Sequence, residues 1–499
     1  MLTTLVGTRL PPRYRKFFKL PDRQESWKFS DTDDTALGRA ADQWLHDAGT
    51  SGGVYRLDSG RDALGVRLGL IDRAERSVDI QSYLIRDDVS GNLVGLRLAA
   101  AAERGVRIRL LMDDALTNEI DAGLLSLDDH ENIEVRVFNP FPRRRSRLIS
   151  FIANFNILNR RMHNKSFTVD NKVTIVGGRN LADEYFQSGG ATEFLDEDLL
   201  AIGPVVDDVS DGFDEYWNAP EAIPVGVFDA LVPHGSIGDS TAEGRRYIAR
   251  HGSDAFFQSV DDSLSRKLID GELPLIAAEA ALVMDYPDKV RLLSTRPASI
   301  TSVFLQQMVS AATREVIVIS PYFIPEKQGV DFLAGLVDRG VRVVVLSNSL
   351  ASTNHASVHA VYARYRKPLL RKGIELYELR PNIDSTDPTT TLTLHSKIAI
   401  VDRSRVFVGS FNLDPRSLYL NTEMGLVVES PDLSGTMSAG IRSSLAEIAY
   451  RLKLSPKGRL QWLLSTGNGD EVITTEPQTS WWRRFRTRLM SFLPIESQM

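Results

Sequence analysis

One segment of the chain occurs twice, and that duplication limits the fold more than any other feature. Arg161-Met-His163-Asn-Lys165-Ser-Phe-Thr-Val-Asp170 returns as Thr393-Leu-His395-Ser-Lys397-Ile-Ala-Ile-Val-Asp402, with histidine, lysine and aspartate at the same spacing. Downstream, Val176-Gly177-Gly178-Arg179-Asn180 returns in the same register as Val408-Gly409-Ser410-Phe411-Asn412. Upstream, Glu103-Arg104-Gly105-Val106-Arg107 matches Asp338-Arg339-Gly340-Val341-Arg342, three residues out of that register. Three matches in one order mark a repeated structural unit rather than a repeated loop.

Each copy reads as alternating helix and strand. A periodic stretch at Ala63–Ala74 precedes the β-branched run Val78–Leu84, a helix-like Leu93–Glu103 and a strand Val106–Met112. Ser302–Ala312, Val316–Ser320, Val330–Asp338 and Val341–Leu346 repeat that order, which predicts α/β units whose parallel strands are buried by helices. Gly105 and Gly340 read as helix C-terminal glycines. His163–Val169 and His395–Val401 read as strands, on which period-2 geometry puts each histidine and lysine on one face. The expected organisation is an N-terminal extension over 1–50, a first domain over 51–222, a connecting segment over 223–290, a second domain over 291–450 and a C-terminal extension over 451–499. The connecting segment, rich in Pro, Gly and polar residues, reads as irregular.

Composition removes whole classes of function. Hydrophobic residues make up 42% and charged residues 25% of the 499, which is ordinary globular usage. There is no cysteine, so disulfides, thiolate metal sites and cysteine nucleophiles are excluded. Lys and Arg number 59 against 65 Asp and Glu, a net charge of −6; an anionic partner must be met by local patches. No apolar run approaches the roughly 18–20 residues that span a bilayer. The start, Met1–Leu20, is broken by Arg9, Pro11, Pro12, Arg13 and Arg15 and reads as neither signal peptide nor transmembrane helix.

A lone His-x-Lys pair on a strand means little, but its duplication changes the reading. If the halves pack about a pseudo-twofold axis, His163 and His395 converge with Lys165 and Lys397 beside them, and Asn180 and Asn412 add neutral donors. That set suits a phosphodiester. One imidazole attacks phosphorus while the other, as imidazolium, protonates the departing alkoxide; lysines and asparagines hold the non-bridging oxygens. No metal or cofactor is needed. Histidine-orienting carboxylates are sought by register, and Asp196 and Glu423, each opening a buried-type strand, are the candidates. Asp170 and Asp402 belong to the repeated motif and stand as catalytic candidates, although aspartates at strand ends more often make turns or ion pairs. His46, His130, His234 and His251 have no repeat counterpart and read as local-structure residues. His355 and His359 fall on an expected amphipathic helix over 354–367.

His-x-Lys-(x)4-Asp twice, each followed by Gly-Gly/Ser-x-Asn, resembles the phospholipase D superfamily. Ser320-Pro-Tyr-Phe-Ile-Pro325, Arg160-Arg-Met-His-Asn-Lys-Ser-Phe167 and Gly409-Ser-Phe-Asn-Leu-Asp-Pro-Arg-Ser417 through Glu423 resemble more narrowly its bacterial cardiolipin synthases, the C-type branch in particular. The resemblance implies two duplicated α/β/α sandwich domains with mixed sheets, pseudo-twofold related, sharing one active site. It implies transfer of a phosphatidyl group, from phosphatidylethanolamine or phosphatidylglycerol, to phosphatidylglycerol through a phosphohistidine. His163 is then taken as nucleophile and His395 as general acid and then base. The phosphate-holding set becomes Asn180, Asn412 and Ser410, with Gly178 in the place of Ser410 in the first copy. The resemblance also implies a peripheral protein of the bacterial inner membrane, and the start of the chain, which reads as no signal peptide, favours its cytoplasmic face.

Two segments fit an anionic membrane surface. Between Val135 and Val169 there is no acidic residue, while Arg143, Arg144 and Arg145 lead a basic cluster around the apolar Leu148–Leu158. An amphipathic helix is expected over 481–493, with Trp481, Trp482 and Phe485 beside Arg483 and Arg484, Ser480 as cap and Pro494 as stop. The rival readings are a phospholipase D-type hydrolase, a nuclease, and an inactive membrane-binding scaffold. Nucleic acid is not expected as a partner, because the basic residues interleave with apolar ones and the net charge is negative. Both motifs being intact speaks against the inactive scaffold.

Overall fold

The computed structural model describes residues 24–491, other than 116, 118, 119, 142–154, 261, 292–298, 383–389, 467 and 468. Arg143, Arg144 and Arg145 lie outside the described residues.

The first unit forms a sheet from β1 (Gly53–Leu57), β2 (Ser77–Ser82), β3 (Arg107–Asp113), β4 (Ile133–Phe138), β5 (Ser166–Val169), β6 (Val173–Gly177), β8 (Asp198–Ile202), β9 (Ala222–Pro224) and β10 (Ile276–Ala277), with β7 (Thr192–Leu195) standing apart. Its order is β10-β1-β8-β6-β5-β2-β3-β4-β9, parallel only across β2-β3-β4. The second unit uses β11 (Ala280–Met284), β12 (Glu315–Ile319), β13 (Arg342–Asn348), β14 (Glu375–Leu379), β16 (Ile398–Val401), β17 (Arg405–Gly409) and β18 (Met424–Glu429), in the order β11-β18-β17-β16-β12-β13-β14. That order copies β1-β8-β6-β5-β2-β3-β4 strand for strand, so the duplication is one of topology as well as sequence.

The flanking helices form for local reasons. In the first unit α1 (Gly60–Arg73) begins where Ser59 Oγ accepts the Asp62 N–H at 3.2 Å. The next helix, α2 (Val89–Glu103), ends at Gly105 with φ 90°. In the second unit α3 (Ile300–Ser310) begins where Ser299 Oγ accepts the Ser302 N–H at 3.1 Å, and α4 (Glu326–Asp338) ends at Gly340 with φ 85°. Both glycines adopt the left-handed conformation that closes a helix. The strands between these helices, such as Glu315-Val-Ile-Val-Ile319, are buried along their whole length, which is why they read as continuous apolar runs. A core shared by the units packs Val176, Leu199 and Val205 of the first against Ile317, Ile400 and Leu426 of the second.

Three expectations need correction. The connecting segment is not irregular: helices at Ile237–His251 and Ser263–Ile269 pack on α2 and α1, and β10 and β11 then join one sheet each. The second sheet does not stop at residue 450, because β19 (Ala449–Leu454), β20 (Leu460–Thr466) and β21 (Gly469–Ile473) extend it beyond β14. The expected helix over 354–367 is two short helices, Ala356–Tyr362 and Arg366–Arg371.

Candidate active site

The repeated histidines do not lie within their strands. β5 and β16 begin at Ser166 and Ile398, after the lysines, because the preceding backbone leaves its own sheet to pair with the other unit. The His163 N–H donates to the Thr422 carbonyl at 2.9 Å, and the His395 N–H donates to the Leu195 carbonyl at 2.8 Å. Thr422 precedes Glu423, and Leu195 precedes Asp196. Just before His395, β15 (Thr391–Leu394) runs parallel to β7 across the interface.

This crossing sets the chemistry. His163 Nδ1 lies 2.9 Å from Glu423 Oε2, and His395 Nδ1 lies 2.5 Å from Asp196 Oδ2, so each imidazole is oriented by the carboxylate of the other unit. A carboxylate on Nδ1 fixes the tautomer and leaves Nε2 for reaction. Lys165 Nζ donates to the His163 carbonyl at 2.7 Å, and Lys397 Nζ donates to the His395 carbonyl. All six groups are buried.

Burial governs their protonation. It pushes Lys165 down to about 7 against the pull of Glu423, and Lys397 down to about 8 against the pull of Asp196. Burial also lowers His163, and with the Lys397 charge it takes His395 to about 3. It opposes the charge of both carboxylates as well, but Lys397 and His395 overcome this and hold Asp196 well below the usual range, while His163 and Lys165 lower Glu423. The resting pairs are therefore neutral imidazoles donating to carboxylates, beside lysines that an anion would restore to full charge.

Two expected roles change. The Ser410 hydroxyl donates to Glu423 Oε2 at 2.5 Å and accepts the Met424 N–H at 3.0 Å, so it holds the carboxylate and does not face a phosphate. Its counterpart Gly178 has no room for a side chain, since a Cβ there would lie 2.1 Å from Asp196 Oδ1. Asp170 and Asp402 are not catalytic. Asp170 accepts the N–H groups of Glu75, Arg76 and Ser77, and Asp402 those of Thr313, Arg314 and Glu315, at 2.8–3.1 Å. Both tie strand ends to the turns before β2 and β12, five residues on from the lysines, or about 16 Å along an extended chain at about 3.3 Å per residue. Asp170→Ala is expected to lower stability by about 2–3 kcal/mol, read as a fall in Tm, with the rate per folded molecule unchanged.

Asn180 and Asn412 are buried beside the lysines' strands, and neither amide oxygen has a partner among the described residues; Asn180 Nδ2 donates to Tyr185 Oη at 2.7 Å. Sequence reasoning missed the rings around the histidines. Tyr83 meets His163 edge-on at 5.2 Å, Phe194 stacks on His395 at 5.1 Å, and Tyr185 meets His395 edge-on at 5.0 Å. It also missed Ser417, whose hydroxyl donates to Glu423 Oε1 at 2.6 Å. A usable signal existed for Tyr83: an aromatic follows each central strand, Tyr83 after β2 and Tyr322 after β12. Among the described residues no group of three or more His, Asp or Glu is placed to hold a metal ion.

Residues 68–217 and 305–443 match the family model described as cardiolipin synthase, PLD-like domain. The chain belongs to this phospholipase D-type family. It is 42% identical over 462 residues to Cardiolipin synthase C of Escherichia coli K12, spanning 89% of this chain and 95% of that one. It is 31% identical over 411 residues to an uncharacterised protein of Helicobacter pylori 26695, spanning 80% of both. The phospholipase D-type fold is also that of the crystal structure of phosphatidylserine synthase from Haemophilus influenzae, with a TM-score of 0.56 at 11% identity, over 92% of this chain and 98% of that one.

Proposed function

We propose that this protein is a cardiolipin synthase, moving a phosphatidyl group from phosphatidylethanolamine or phosphatidylglycerol to phosphatidylglycerol. The observation that carries the reading is the crossed pairing of His163 with Glu423 and His395 with Asp196, which makes one site from two motifs. The 42% identity to Cardiolipin synthase C supports the choice of reaction.

In the first step His163 Nε2 attacks phosphorus and a P–N bond forms as the P–O bond to the head-group alcohol breaks. His395, as imidazolium, gives that oxygen its Nε2 proton. The anionic donor, held by Lys165, Lys397, Asn180 and Asn412, offsets the lysine charges that keep His395 neutral in the resting site. In the second step a hydroxyl of phosphatidylglycerol loses its proton to His395 and attacks phosphorus, and the P–N bond breaks to release cardiolipin.

The substrates lie in a bilayer, and no helix among the described residues is long and apolar enough to cross one. Attachment to an anionic surface is assigned to the helix α5 (Trp481–Met490), capped by Ser480. Its Trp481, Trp482, Phe485 and Leu489 are exposed, Trp482 by 66%. Arg483 anchors it by donating to the Thr353 carbonyl at 3.0 Å, next to Ser352, whose carbonyl accepts from Thr393, two residues before His395. The helix is thereby tied to the segment that leads into His395, and its exposed aromatic side chains suit an anionic surface. Trp481→Glu with Trp482→Glu is expected to cut co-sedimentation with phosphatidylglycerol vesicles about tenfold or more, without loss of activity on a water-soluble phosphodiester.

The deciding experiment supplies purified protein with phosphatidylglycerol vesicles, with and without phosphatidylethanolamine, and identifies the lipid products. Cardiolipin formed strongly only with both lipids supports the synthase and the donor together. Phosphatidic acid alone would mean that water is the acceptor, and would overturn the transferase reading.

A further inference from the structure

The two units differ in one place where their topology predicts likeness. In the second, a cavity of about 480 Å³ lies between α3, α4 and the sheet, within the roughly 300–1,000 Å³ of ligand sites. Its wall is mostly apolar, with Leu305, Val309, Leu333, Ala399, Phe407 and Phe411. Its inner end reaches Lys397 and the two neighbours of Asn412, Phe411 and Leu413. Its outer end opens at Val303, which is 40% exposed beside the exposed Ile300 and Phe304.

In the first unit the same space is filled. Phe167 stands where the second unit has Ala399, Arg179 where it has Phe411, and Asp198 where it has Gly425. Arg67 reaches in from α1 to within 2.9 Å of Asp198, which Arg179 also meets at 3.3 Å, and the Arg67 guanidinium lies 5.9 Å from the centre of the Phe167 ring. In the second unit the ion cluster is absent from these positions. The Phe407 ring lies over Gly425, where a Cβ would come within 2.3 Å of it, and the short Ala399 leaves the middle open. A fold duplicated strand for strand has thus closed one of two equivalent spaces with charge and lined the other with apolar carbon.

We infer that this cavity houses an acyl chain of one phospholipid substrate, running from the phosphate site at Lys397 and Asn412, beneath Ala399, to the opening at Val303. The occupant follows from continuity: a narrow apolar slot that begins at a phosphate site and ends at exposed aliphatic side chains suits a chain esterified near that phosphate and drawn from a bilayer. Gln306 and Gln328 also line the cavity, at exposed positions, but against the buried Leu333, Ala399 and Phe411 a polar occupant would leave its groups unpaired. Among the described residues, Phe167, Arg67, Arg179 and Asp198 occupy the corresponding space of the first unit. The inference rests on the phosphatidyl-transfer reading for its substrate.

The probe is a phosphatidylglycerol carrying a photoactivatable diazirine at the end of one acyl chain, presented in vesicles to the full-length protein. Photolabelled peptides identified by mass spectrometry are expected from α3 and α4. Ala399→Phe, which restores the first unit's side chain, and Leu333→Trp, from the opposite wall, are expected to reduce that labelling at least about fivefold. Both should slow turnover of long-chain phosphatidylglycerol about tenfold or more and leave hydrolysis of bis(p-nitrophenyl) phosphate unchanged. Labelling of the unsubstituted protein elsewhere than α3 and α4 overturns the inference, as does full turnover of long-chain lipid by both variants. Should a variant not fold, labelling of the unsubstituted protein decides alone. Because labelling requires no reaction, a protein that made no cardiolipin but labelled at α3 and α4 would refute the synthase and keep the slot.

Discussion

His163→Ala and His395→Ala are each expected to lower cardiolipin formation by about 10⁴-fold or more, because one removes the nucleophile and the other the proton carrier. Full activity in either variant refutes the mechanism. The two are separated with bis(p-nitrophenyl) phosphate, whose first leaving group departs without a proton. His395→Ala should still release one equivalent of p-nitrophenol in a burst, while His163→Ala should release none. The opposite pattern would exchange the roles of the two histidines.

Glu423→Gln and Asp196→Asn are expected to cost about 10²–10⁴-fold in rate, since an amide on Nδ1 no longer fixes the productive tautomer or supports the imidazolium. Glu423→Gln carries a further signature in pH. Lys165, lowered to about 7 by burial, loses its charge as pH rises through that value, so kcat/KM of the intact enzyme should fall on the alkaline side. Of the carboxylates that pull Lys165 back up, Glu423 acts most strongly, ahead of Asp196 and Asp113. Without its charge the lysine deprotonates at lower pH, and the alkaline limb should move toward acid. The profile of kcat/KM measured on a short-chain lipid tests this, and a limb that stays in place would remove Lys165 as its source.

The crossed pairs show where sequence reading stops. Asp196 and Glu423 were legible as candidates because each opens a strand in the same place of the repeat. Which histidine each serves was not legible, since the partners stand 199 and 260 residues apart and on opposite halves. Asp170 and Asp402 recur in perfect register for another reason: what recurs in both units is a turn anchor. Ser410 reads from the sequence as a phosphate donor, whereas in the fold its hydroxyl is held by Glu423. The helix Ile237–His251 escaped notice because Gly244 is its only buried residue, which leaves little apolar periodicity to read. Ala399 in place of Phe167 was visible as a change, but its meaning depends on Arg67, Arg179 and Asp198 meeting in the first unit.

By itself the sequence determined that there are two copies of one α/β unit and that the candidate site is built from repeated histidine, lysine and asparagine. Those are matters of residue type and spacing, which a chain carries whether or not it is folded. Only the tertiary structure decided that each imidazole is oriented by the other half's carboxylate, that the lysines are buried enough to titrate near neutrality, and that one half keeps an apolar slot the other has closed. Each of these depends on groups brought together from distant parts of the chain, and on the water that their packing excludes.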